Sequence, residues 1–113
     1  MITETLSGAA LFANGSARLS PSAARVLTPL LAPLREAGAA AVINGYASTP
    51  GTSRANYLLS YARAAAVAAF LEQHGIPASS LDVIGHGATD LVAVGPSGAN
   101  RRVVVVIEEP AAR

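Results

Sequence analysis

Three polar side chains recur along the longest helical run of this sequence, Asn56, Ser60 and Arg63 at i, i+4 and i+7, a spacing that sets them on one helix face. A guanidinium in that position can grip a carboxylate with its planar fork, and the amide and hydroxyl beside it can add neutral hydrogen bonds. That is recognition chemistry rather than catalysis. The same residues also have structural uses, Asn56 closing a turn and Ser60 bonding within the helix. No other group of residues makes a reaction centre. His74 and His86 lie on separate segments, with no acidic or histidine partner at ligand spacing, and read as a helix-end and a strand-end residue. Serines are plentiful, but no Gly-x-Ser-x-Gly elbow is present to activate one. Gly85-His86-Gly87 lacks the third glycine and the following helix of a dinucleotide cradle and reads as a strand-exit turn. Asp82 and Asp90 flank a strand without needing to converge, and Tyr46, Tyr57 and Tyr61 could offer a stacking surface. The expectation is a domain with no catalytic residue, no metal and no cofactor.

The elements that must position the polar stripe alternate in type. Gly8 to Phe12 is a short apolar run ending in Ala13-Asn14-Gly15-Ser16, which reads as a first strand and a turn. Ser20-Pro21 supplies a helix start, and Val26, Leu27, Leu30, Leu31 and Leu34 continue at helical spacing. Pro29 and Pro33 each remove a backbone hydrogen bond, so this helix should be broken near Pro29 and finished by Gly38. Ala40 to Tyr46 reads as a strand, followed by a turn at Ser48-Thr49-Pro50-Gly51. The clearest helix runs from about Ser53 to His74, stopped by Gly75 and Pro77, with Leu59, Ala62, Ala66, Ala69 and Phe70 as its expected core stripe. Leu81 to Gly85 and Arg102 to Glu108 read as two more strands, joined by a glycine-rich connection from His86 to Asn100. Ala41 to Ile43 and Val103 to Ile107 are apolar in succession, the pattern of strands buried on both faces.

At 113 residues the chain has room for one domain, with a core from about residue 6 to 109 and a frayed tail at 110–113. Apolar residues make up 51%, but 25 residues are alanine, so close small-residue contacts must supply much of the packing. Eight basic residues, all arginine, against seven acidic ones leave a net charge of +1, which argues against nucleic acid as a partner. No apolar run approaches the roughly 18 residues of a membrane span, and no basic segment followed by an apolar run marks a signal peptide. The chain is therefore expected to be cytoplasmic or a piece of an exported protein. Without cysteine there is neither a disulfide framework nor a thiolate metal site.

Taken in order, Gly45-Tyr46-Ala47-Ser48 with Gly51, the run Asn56-Tyr57-Leu58-Leu59-Ser60-Tyr61-Ala62-Arg63-Ala64, Gly85-His86-Gly87 and Asn100-Arg101-Arg102-Val103 resemble the C-terminal domain of the OmpA-like family. That family includes outer-membrane protein A tails, the peptidoglycan-associated lipoprotein and flagellar stator anchors. The likeness extends from about Phe12 to Ile107. It implies an α/β (α+β) fold of βαβαββ order, a mixed sheet with two helices packed on one face. It further implies non-covalent, non-enzymatic binding of peptidoglycan through the diaminopimelate of the stem peptide, and so a place in the cell envelope, periplasm or cell wall.

In the family an aspartate after the second strand meets the ammonium of that residue and an arginine on the second helix meets its carboxylate. The arginine falls on Arg63 and the aspartate on Ser48, a departure that removes one charge-assisted hydrogen bond, worth about 1.5 to 3 kcal/mol. The expected ligand-binding set is Ser48, Asn56, Ser60, Arg63 and Arg102, the last as a further cation or else a surface ion-pair residue. A second reading is a degenerate scaffold of the same fold that has lost wall binding and serves protein interaction or assembly; a protein partner or a homodimer fits either reading. Anchoring calls for Arg63 exposed at the floor of a cleft beside the Ser48 loop, whereas a scaffold allows it to be buried in an internal ion pair.

Overall fold

The valine run at Val103–Val106 forms the middle of strand β4 (Arg102–Glu108), which sits inside a four-stranded sheet between β1 (Ile2–Ser7) and β2 (Ala40–Tyr46), with β3 (Leu81–Gly85) at the far edge. The computed structural model describes residues 1–13, 15–49, 51–89 and 101–109. Asn14, Pro50, the connection 90–100 with Asp90 and Asn100, and the tail 110–113 lie outside the described residues, so the expectations placed on them are not met with a structure. β4 runs antiparallel to β1 and β2, and β2 runs parallel to β3. A parallel pair needs a long crossover, and the 21-residue helix α4 (Ser53–Gln73) provides it.

The element order and mixed sheet agree with the expected fold, and β2, β3 and β4 fall where the sequence puts them. The first strand does not. Gly8–Leu11 is a single helical turn, α1, and the strand precedes it at Ile2–Ser7. The sequence Ile-Thr-Glu-Thr-Leu-Ser buries only Leu6 because β1 is an edge strand with most of its side chains in solvent. Gly8 turns the chain where it passes β4: its amide donates to the Arg101 carbonyl at 2.9 Å, and a Cβ there would stand 2.9 Å from that same oxygen.

The first helical region breaks as its prolines require. Helix α2 (Ala23–Leu27) passes into a 3-10 turn at Thr28–Leu30 holding Pro29, then into α3 (Leu31–Leu34). Its start lies later than Ser20-Pro21 suggests. Ser20 Oγ donates to the Ala10 carbonyl at 3.2 Å instead of capping, and the helix opens at Ala23.

Two further expectations are corrected. The core face of α4 carries Asn56, Ser60, Arg63, Ala64, Val67, Ala68 and Leu71. Leu59, Ala62, Ala66 and Phe70 are only half-buried, and Ala69 is exposed. The polar stripe and the apolar core are therefore one face. Nor is the sheet buried on both sides. Ala41, Ile43, Val103, Val105 and Ile107 join Leu6, Leu11, Leu27, Leu31, Val67 and Leu71 in the core, while the alternate residues Val42, Val104 and Val106 are half-buried and Ile84 is exposed on the opposite face. Among the described residues, the helices cover only the first of these faces.

Candidate functional site

Glycines let α4 settle directly on the sheet. A Cβ at Gly45 would collide with the Ser60 carbonyl, and one at Gly85 would stand 2.8 to 2.9 Å from Cβ, Cα and N of Tyr61. Only Gly tolerates such approach, and it brings the N-terminal half of α4 against the ends of β2 and β3, where the Ser48 loop leaves the sheet.

Asn56 and Ser60 hold that junction together. Asn56 Oδ1 accepts from both the amide and the hydroxyl of Thr49, each at 2.9 Å, and Nδ2 donates to the carbonyls of Thr52 at 3.2 Å and Thr49 at 3.3 Å. The amide side chain thus ties the Thr49–Thr52 loop to the helix, whose N-cap Thr52 accepts from the Ala55 amide at 3.0 Å. Ser60 Oγ donates to the Tyr57 carbonyl and accepts from the Gly87 amide, both at 2.8 Å. Gly87 needs its positive φ of 61° to turn that amide toward the helix. Ser60 thus has its hydroxyl engaged in both directions, and Asn56 closes the turn before the helix.

Arg63 is different. It is 3% exposed, its Nε donates to the Ser16 carbonyl at 2.9 Å and its guanidinium carbon stands 5.1 Å from the centroid of the Phe12 ring. Among the described residues no carboxylate comes within salt-bridge distance of it. Burial, and after it the nearby Arg101 guanidinium, holds the Arg63 guanidinium below its ordinary pKa. Neither sequence alternative describes this: Arg63 is buried, yet without an internal ion pair to a described residue.

The second cation beside the loop is Arg101, whose Nη1 donates to the Ser48 carbonyl at 3.3 Å. Ser48 itself is buried. Arg102, the cation expected here, is on the other side of the sheet. Strand alternation sends it outward to lie 3.9 Å from the centroid of the Tyr46 ring. The sequence pairs the two arginines, and only the phase of β4 tells which one reaches the loop.

Beside Asn56, a cleft of about 400 Å³ opens between Ser48, Ser53, Tyr57, His86, Gly87 and Thr89, and Arg63 is not part of its lining. Tyr57, which lines the cleft, and Tyr61 are half-exposed on α4, while Tyr46 stacks on His86 on the outer face of the sheet, so the three tyrosines form no common surface. His86 Nε2 pairs with Asn44 Oδ1 at 2.8 Å, and His74 Nδ1 with the Phe70 carbonyl at 2.8 Å. Among the described residues no three His, Cys, Asp or Glu side chains gather as a metal site, and no helix is long and apolar enough to cross a membrane.

Solved structures similar to this chain share its architecture. A MotB-like protein of Desulfovibrio vulgaris is 27% identical with a TM-score of 0.82, over 95% of this chain and 74% of that one. The cell wall anchor of the T6SS from Pseudomonas aeruginosa is 27% identical with a TM-score of 0.81, over 96% and 81%. The peptidoglycan-associated lipoprotein of Burkholderia pseudomallei, at 23% identity and a TM-score of 0.80 over 92% and 89%, bears on the fold alone. No curated protein matches the sequence at comparable significance. The sequence pattern of the OmpA family matches residues 11–103, which span the β1–α2 connection, the Ser48 loop, the Asn56–Arg63 stripe and the start of β4. The chain belongs to the OmpA family.

Proposed function

We propose that this domain binds peptidoglycan, anchoring an envelope or exported protein to the cell wall by holding the diaminopimelate carboxylate of the stem peptide between Arg63 and Arg101. The observation that carries the reading is the buried Arg63 guanidinium with no described carboxylate at hand and a second guanidinium nearby. A buried charge is costly unless paired, and among the described residues no anion lies within salt-bridge distance of Arg63 or of the Arg101 guanidinium near it. A carboxylate ligand satisfies both, and Arg63 can take it through its two remaining nitrogens. The kinship with a structure described as a cell wall anchor supports the same assignment. The domain is a binding module and not an enzyme. Asn56 and Ser60 act indirectly in this scheme, fixing the Ser48 loop against the helix that presents Arg63.

Two observations favour the second reading, a scaffold that has lost wall binding: Arg63 is buried rather than exposed at the floor of a cleft, and Ser48 replaces the family's aspartate, so the ligand's ammonium finds no carboxylate at that position. Co-sedimentation with insoluble peptidoglycan, at moderate salt and beside Arg63→Ala and Arg101→Ala, separates the two. Binding that is lost in Arg63→Ala and weakened in Arg101→Ala is the expected result. Wild-type protein that stays in the supernatant makes the scaffold reading correct.

A further inference from the structure

We propose that Tyr57 and Tyr61 form a saccharide platform, on which the glycan strand of peptidoglycan lies while its stem peptide reaches the arginine pair. The proposal rests on the wall-binding reading and adds a second ligand chemistry to it, neutral sugar beside acidic peptide.

The buried face of α4 runs from Asn56 through Ser60 and Ala64 to Leu71, and the two tyrosines lie outside it. Tyr57 keeps 49% of its surface exposed and Tyr61 45%, with Leu58 beside them at 50%. Large apolar side chains gathered in the open on one stretch of helix mark an interaction site.

The exit of β3 fixes where the two tyrosines stand. A Cβ at Gly85 would meet Tyr61, and one at Gly87 would stand 3.3 Å from the Tyr57 amide nitrogen. Both residues therefore ride over Gly85-His86-Gly87, one helical turn apart, with Cβ atoms about 5 to 6 Å from each other. Successive rings of one saccharide chain can lie over tyrosines so spaced, each pressing a C–H face on an aromatic ring while its hydroxyls stay in water.

The neighbouring cleft selects the occupant. Tyr57 forms one wall, and Ser53, Asn56, Gly87 and Thr89 bring hydroxyls, an amide and backbone to the others, with no Asp, Glu or Arg among the described lining residues. An ionic ligand finds no counter-charge there, whereas a flat, hydroxylated one finds both an aromatic face and hydrogen-bonding groups. The site for the acidic peptide adjoins it: Arg101 donates to the Ser48 carbonyl at 3.3 Å, and Ser48 also lines the cleft. Along α4, Tyr57 precedes Arg63 by six residues, about 9 Å of rise. A few residues of extended peptide span about 10 Å, so the short peptide that joins diaminopimelate to its sugar is long enough to bridge the two places.

The test titrates insoluble peptidoglycan, glycan strands freed of stem peptide by an amidase, and the free diaminopimelate-containing stem peptide. Each probe meets wild type, Tyr57→Ala, Tyr61→Ala and Tyr57→Phe, with thermal melting to verify that the variants are folded. Wild type should bind the glycan strands. Both alanine variants should lose that binding and should hold insoluble peptidoglycan about three- to tenfold less tightly. Their affinity for the free stem peptide should equal that of wild type, and Tyr57→Phe, which keeps the ring, should match wild type on every probe. Glycan strands that wild type does not bind, or that the alanine variants bind as well as wild type does, overturn the platform, and stem-peptide binding by the same protein then leaves the anchoring reading standing. Failure of wild type on all the probes overturns both.

Discussion

Replacing Arg63 with methionine separates a guanidinium held for a ligand from one serving the fold. The substitution keeps a flexible side chain of comparable reach and removes the charge. It forfeits the Nε bond to the Ser16 carbonyl, about 1.5 to 3 kcal/mol for a bond to a charged group. It also forfeits the contact with Phe12, about 0.5 to 2 kcal/mol. Against this, the desolvation penalty of a side chain only 3% exposed is relieved, and that is several kcal/mol for a buried ion. The opposing quantities are of equal size, so the variant should melt within about 4 °C of the wild type, the shift that about 1 kcal/mol produces in a domain of this length. Its co-sedimentation with peptidoglycan should nevertheless be lost. Had Arg63 been compensated by an internal acid, the same substitution would strand that acid at a cost of about 3 to 5 kcal/mol. The assay is thermal or urea unfolding alongside the pull-down, and a fall in Tm beyond about 12 °C would refute the argument that the guanidinium awaits an external anion. The sign of the pKa shift adds a control. A base whose folded pKa is depressed holds the folded state back at every pH below that pKa and stops doing so as pH rises through it. The stability difference between wild type and variant should thus be flat from about pH 6 to 9, below the guanidinium range.

Three further outcomes are expected. Ser48→Asp, which puts a carboxylate back beside Arg101, should strengthen peptidoglycan co-sedimentation about ten- to a hundredfold if the stem-peptide ammonium reaches the loop; no change means that it does not. Ser60→Ala should cost about 1 to 3 kcal/mol by leaving the buried Gly87 amide without its acceptor, measured by urea unfolding, while peptidoglycan binding in folded protein stays within a few-fold of wild type. Gly45→Ala should destabilise by about 3 kcal/mol or more, because the added methyl meets helix backbone rather than a movable side chain, and a variant as stable as the wild type would show that α4 can ride higher on the sheet.

How much of this was legible depended on what a residue's neighbours had to do. β4 could be read to the residue because its unbroken run of valines and isoleucine ends at arginine and glutamate, and β2 because its apolar start, Ala40–Ile43, follows Gly38 and its end precedes the turn residues at Ser48. The break at Pro29 could be read because proline acts locally, whatever it packs against. β1 was not legible: an edge strand that buries one leucine carries almost no hydrophobic signal, and the apolar Gly8–Phe12 beside it carries more. The phase of α4 failed because its alanines make several faces passably apolar, and because Asn56, Ser60 and Arg63 are polar residues buried for their partners. The family likeness located Arg63 and Ser48, but choosing Arg101 over Arg102 required the pleat of β4, which no residue type discloses.

The register of β1 has a mechanical consequence. Ile2 pairs with Ile107 at one end of the sheet, whereas Ser7, Arg102 and Tyr46 meet at the end where the Ser48 loop and Arg63 lie. Tension applied between the start of β1 and a ligand gripped at the loop therefore runs along the strands. It loads the six paired positions of β1 and β4 in parallel, so that they must slide and break together instead of opening one after another. A tether attached at that end is pulled in the direction in which a pair of antiparallel strands resists best.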